Sequence, residues 1–214
     1  MPPRENSPFR LTVEGPNDKH ALIHLLRRHG VDWDASISGL PYVHVAGNDY
    51  KVLESLPLGI RTYARFGIIV DADTRPHQRW IQIHDRLIAE GILAPADPDP
   101  MGTIVAGRAG RGRIGVWLMP DNREPGILEH FLAKLVPTAD PCWAHAEQAT
   151  ATAQTLGAKL PQKDMMKGVI HAWLAWQAEP GLPFGTALTA GILGHDSVEA
   201  LAFVAWFKRL FLDG

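Results

Sequence analysis

The chain has 214 residues, 46% of them hydrophobic and 21% charged, with a formal net charge of −2. That is enough apolar material for a sizeable core, in one large domain or a domain with a helical extension, and no global charge draws it towards nucleic acid or an acidic membrane surface. The one cysteine, Cys142, excludes an intrachain disulfide and a thiolate zinc cluster.

Residues 1–10 are polar and proline-rich, without the apolar stretch of a signal peptide. No apolar run approaches the ~20 residues of a membrane span; the richest, Ala200 to Leu212, is broken by Lys208 and Arg209. A cytoplasmic protein without membrane contact is the expectation.

Residues 10–14 read as a short buried strand ending at the turn residues Gly15-Pro16. Asn17 then caps a helix reaching about Arg28, with Gly30 as its stop. Tyr42 to Ala46 is a second strand, followed by a helix from about Asn48 to Leu56. Phe66 to Val70 carries no charge, as a strand buried on both faces requires, and it runs into Asp71-Ala72-Asp73. Residues 77–90 form an amphipathic helix with Trp80, Ile83, Leu87 and Ile88 inward. Thr103 to Ala106 and Arg113 to Met119 are two strands around a Gly-rich hairpin, and a helix spans about Gly126 to Leu135.

Beyond Pro137 only helices are read, at 139–157, 162–177 and 196–212. Phe203, Trp206, Phe207 and Leu210 give the last one an apolar stripe, and Asp196 with Glu199 gives it a capping-box start. Trp143, Trp173, Trp176 and Trp206 read as core. The fold class is therefore α/β: a mostly parallel sheet with its helices in residues 9–136, and a helical cover in 137–214.

Ligands of an open parallel sheet bind beyond the carboxyl ends of its strands. Here the strand ends carry Glu14, Asp71-x-Asp73 and Asp121. Carboxylates brought to one edge repel. Mg²⁺ resolves that conflict, since it takes a few carboxylates plus water and phosphate. In an extended segment Asp71 and Asp73 would face the same side. Against this, an acid after a strand also serves as a turn former or cap, and Asp18, a further candidate metal ligand, also complements a helix dipole. Glu14 has no such role, because a buried strand ending in Glu-Gly-Pro needs no carboxylate. Arg108, Arg111 and Arg113, in the Gly107–Gly112 hairpin, suit phosphate binding or form a solvated tip. His171 reads as a satisfied core or rim histidine.

Leu11-Thr12-Val13-Glu14-Gly15-x-x-Asp18 followed by Gly67-Ile68-Ile69-Val70-Asp71-Ala72-Asp73 resembles the Toprim domain of topoisomerases, primases and overcoming-lysogenisation-defect nucleases. Trp117 to Asn122, Gly126 to Glu129, and Lys167 ahead of His171 to Trp176 resemble small free-standing Toprim-related proteins. The resemblance implies a Toprim-like topology, Glu14 as general acid/base or metal ligand, and Asp71 and Asp73 on Mg²⁺, with Mn²⁺ able to substitute. It also implies Glu129 near a second ion and Lys167 near the phosphate. The resulting expectation is metal-dependent phosphodiester hydrolysis in nucleic acid. The alternative is a non-catalytic metal- and nucleotide- or nucleic-acid-binding module, whose protein partner supplies substrate binding or an ATPase.

Overall fold

The structure is a computed structural model that describes residues 5–33, 39–108 and 112–213. Five segments pair into one sheet: β1 (Phe9–Val13), β2 (Tyr42–Val45), β3 (Arg65–Asp71), β4 (Thr103–Ala106) and β5 (Arg113–Met119). Their order is β2-β1-β3-β5-β4. Every pairing is parallel except the β4–β5 hairpin at one edge. Parallel neighbours need crossovers, supplied by α1 (Pro16–Arg28) and α2 (Asp49–Thr62), while α3 (Pro76–Ala89) follows β3. The protein is α/β with a mostly parallel sheet.

Strand alternation sorts the core into two layers. Phe66, Ile68 and Val70 of β3 and Ile114, Val116 and Leu118 of β5 point to one face, covered by α2 and α3. Ile69, Trp117 and Met119 point to the other, where β1, α1 and the C-terminal helices form a second cluster. Those helices are α4 (Leu128–Ala133), α5 (Pro141–Thr155), α6 (Met165–Ala175), α7 (Phe184–Thr189) and α8 (Val198–Phe211). Among the described residues no helix is long and apolar enough to cross a membrane.

Some local readings shift. α1 starts at Pro16 with Gly15 as its cap rather than Asn17, because proline's fixed φ suits the first helical position. α2 continues through Pro57 to Thr62, and its stripe of Val52, Leu53, Leu56 and Ile60 is buried throughout. α8 is capped by Ser197, whose Oγ accepts from the Ala200 amide at 3.2 Å, and not by Asp196. α7 has only six residues, too few for a periodicity to register. Ile88 and Trp176 are exposed and Trp143 is half-buried, whereas Trp173 and Trp206 are core.

α8 approaches the sheet closely at a pair of glycines. Gly67 of β3 and Gly115 of β5 are direct register partners. A Cβ on Gly67 would meet Leu210 at 3.0 Å and Phe211 at 3.2 Å, and one on Gly115 would overlap Leu210 and meet Trp206 at 3.0 Å. Glycine inside a strand marks such an approach. Gly115→Ala should therefore destabilise the protein by about 1–3 kcal/mol, the usual cost of overpacking. Combined with Leu210→Ala, its effect should be smaller than the sum of the two single changes. Strict additivity in urea unfolding would contradict the close packing.

Candidate functional site

The carboxyl ends of β1 and β3 are neighbours in the sheet, and the acids that follow them meet there. Glu14 Oε1 accepts the Asp71 amide at 2.7 Å, and Asp71 Oδ1 accepts the Leu128 amide at 3.0 Å. Asp18, one turn beyond Glu14, accepts the Gly15 amide at 3.0 Å and so caps its own helix. Glu129 follows Leu128 in the first turn of α4 and is 5% exposed. Paired backbone bonds between Asp73 and Gly126, at 2.9 and 2.7 Å, tie the loop after β3 to the segment entering α4. Glu14, Asp18, Asp71 and Glu129 thus line one open cavity of about 320 Å³, together with Gly47, Lys167 and His171.

Burial without enough positive charge sets the protonation of these groups. Burial pushes the Asp71 carboxyl up to about 9, reinforced by the negative fields of Glu14, Asp18, Glu129 and Asp73. Burial raises Glu14 to about 7 against the favourable amide of Asp71, and Asp18 to about 6. Glu129 is also raised by burial, with Lys167 opposing. Lys167 bonds Asp164 at 2.9 Å while its side chain stays 46% exposed.

The structure separates the other acids from this cavity. Asp73 no longer alternates with Asp71, because the chain leaves the strand and Asp73 turns into the left-handed region at φ 52°. Its carboxylate goes instead to Arg79 at 2.6 Å. Asp121 is a turn former and ion-pair partner: it accepts the Arg123 and Glu124 amides and bonds Lys134 at 2.8 Å, which also reaches Glu199 at 3.1 Å. It lines a separate cleft with Trp117 and Met101.

The arginine hairpin lies at the wrong end of the sheet. Arg65 pairs with Arg113 where β3 and β5 begin, and Asp71 pairs with Met119 where they finish, roughly 20 Å away at about 3.3 Å per residue. Arg113 donates to the carbonyls of Arg209 and Asp213 at the end of α8. Arg108 stands 3.9 Å from Glu90, and Arg111 lies outside the described residues. Neither Arg108 nor Arg113 lines the acidic cavity.

Two residues that the sequence did not mark organise the cavity's edge. Arg79, its side chain 10% exposed, donates Nε to the Asp71 carbonyl at 3.0 Å and bonds both Asp49 and Asp73. Asp49 opens α2 after β2, and its field also raises Glu14. The available signal was an arginine one turn into the helix that follows a strand-end acid.

The chain is an α/β protein with a carboxyl-lined cavity at the end of its parallel strands. It belongs to the family described as "Protein of unknown function (DUF3226)", whose model matches residues 8–212. No curated protein matches it, and no solved structure does.

The raised carboxyls bind protons more readily in the folded than in the unfolded chain, so without metal their contribution to stability is fully present below about pH 4 and is lost as pH rises through about 6, 7 and 9. In chelator, wild-type stability should fall between pH 7 and 9. Asp71→Asn, which removes the most displaced group, should flatten that fall. Identical pH slopes in urea melts of the two proteins would contradict the clustering.

Proposed function

We propose that this cavity is a magnesium-dependent site hydrolysing phosphodiester bonds in nucleic acid. The observation that carries the reading is the meeting of four carboxyl groups, from the β1–α1 turn, the first turn of α1, the end of β3 and the start of α4, around one open cavity with a single lysine. The resemblance of residues 11–18 and 67–73 to Toprim domains supports it, since it implies the same chemistry at Glu14 and Asp71.

The donor set fits a hard divalent cation. Among the described residues no three histidine, cysteine or carboxylate side chains are placed to enclose an ion by themselves. Mg²⁺ does not require that, because it is held by one or two carboxylates with water and substrate phosphate completing the shell. Glu14 and Asp71 each spend one carboxylate oxygen on a backbone amide and keep the other without a hydrogen-bond partner among the described residues. Asp71 and Glu129 would hold the ion, and Mn²⁺ would substitute for Mg²⁺. When bound, the ion supplies charge stabilisation on the phosphate oxygens and acidifies a water.

Glu14, ionising at about 7, is suited to take that water's proton near neutral pH. Its bond to the Asp71 amide orients the carboxyl for the task. Lys167, half-exposed and bonded to Asp164, would face the phosphate.

One observation favours the binding-module reading. Arg108 and Arg113, two arginines suited to a nucleic-acid backbone, stand at the far end of the sheet, with Arg113 committed to α8, so a partner would have to supply substrate binding. Incubation of plasmid, single-stranded DNA and RNA with Mg²⁺ or Mn²⁺ separates the two. In the enzyme reading Asp71→Ala loses both cleavage and the Mn²⁺-induced rise in melting temperature. Glu14→Gln keeps much of that rise, while turnover falls about 10²–10⁴-fold, the usual worth of a general acid or base. Wild-type protein that binds metal and nucleic acid yet cleaves no member of the panel would establish the module instead.

A further inference from the structure

α6 turns one face to the acidic cavity. Lys167 and His171 are four residues apart, hence neighbours on the helix surface, and both line it. His171 is exposed at this rim, the rim and not the core position of the two its sequence reading allows. Its ring lies against that of Phe184, centroids 5.2 Å apart and planes 27° apart. Phe184 is 4% exposed and opens α7, which packs along α1. The imidazole is therefore held by a face contact that uses neither nitrogen, and neither nitrogen has a hydrogen-bond partner among the described residues.

Three other histidines each spend one nitrogen on structure. His29 Nε2 bonds the His195 carbonyl at 2.7 Å, His24 Nδ1 bonds Thr189 Oγ1 at 2.7 Å, and His130 Nδ1 accepts the Ile127 amide at 3.2 Å. A purely packing role against Phe184 needs no nitrogen. An imidazole stacked on Phe184, with no protein partner for either nitrogen among the described residues, at the rim of a cavity that also holds Glu14 is placed to exchange a proton with whatever the cavity binds.

We infer that His171 is the general acid of this site, protonating the leaving oxygen of the phosphodiester; this rests on the hydrolytic reading above. The water oxygen forms a bond to phosphorus as the bond from phosphorus to the leaving oxygen breaks. The water's proton passes to the Glu14 carboxylate and the imidazolium proton to the leaving oxygen. The products are a phosphate monoester and an alcohol, and both residues return to their starting states by exchange with solvent. No redox partner or further reactant is needed.

The test varies the leaving group. An oligonucleotide expels a poorly stabilised alkoxide, whereas thymidine 5′-(p-nitrophenyl phosphate) expels a stable phenolate that needs no proton donor. With Mn²⁺ present, His171→Gln should lower kcat on the oligonucleotide about 10²-fold or more and leave p-nitrophenol release nearly unchanged. The Mn²⁺-induced rise in melting temperature should match wild type. His171→Phe keeps a ring on Phe184 and should show the same split, which guards against a folding defect in the first variant. Equal losses on both substrates in both variants, or no loss on either, would overturn the assignment while leaving hydrolysis standing. Wild-type protein that cleaves neither substrate would overturn the hydrolytic reading itself.

Discussion

The hydrogen bond from the Asp71 amide to the Glu14 carboxylate joins the ends of two neighbouring parallel strands, and the rest of the site is arranged around it. It fixes Glu14 over the end of β3, while Asp71 turns its own carboxylate to the Leu128 amide and brings in α4 with Glu129. One backbone donor cannot neutralise the acids gathered in this way. Burial keeps them short of water, and the remaining compensation must come from protons or from a cation. Without an ion the protein meets that demand with protons, which is why Asp71 and Glu14 ionise at about 9 and about 7.

Positive charge near the cavity is committed in ways that leave the acids uncompensated. Arg79 holds Asp49 and Asp73 outside the cavity and braces the loop through the Asp71 carbonyl. Lys134 serves Asp121 and Glu199 at another cleft. Among the described residues only Lys167 lines the cavity as a cation, and it is shared with Asp164. A group of carboxyls kept deficient in positive charge at a strand edge is what makes this cavity the candidate site.

Much of the fold was legible because it rests on local pattern. A short uncharged run such as Phe66 to Val70 reads as a strand covered on both faces, and the structure buries it between two helical layers. Glu14 and Asp71 were legible because they end such strands. What periodicity could not convey was the direction taken after a strand ends. Asp73 was read as extended, yet its positive φ sends its carboxylate to Arg79. Asp121 ends a strand too, but the turn it forms and Lys134 absorb its charge. The free nitrogens of His171 depend on Phe184, thirteen residues further on and across a helix boundary. No single helix period carries that contact.

The claim that these carboxyls share a divalent cation is tested most directly by counting protons. Calorimetric titration of the protein with Mg²⁺ or Mn²⁺ near pH 7, repeated in buffers of different ionisation enthalpy, reports the protons released for each ion bound. Asp71 is protonated at that pH and Glu14 partly so, and an ion must displace what the carboxyls carry. Binding should release about one proton or more per ion, and the release should shrink in Asp71→Asn. Binding without proton release, or release unchanged in that variant, would contradict the account.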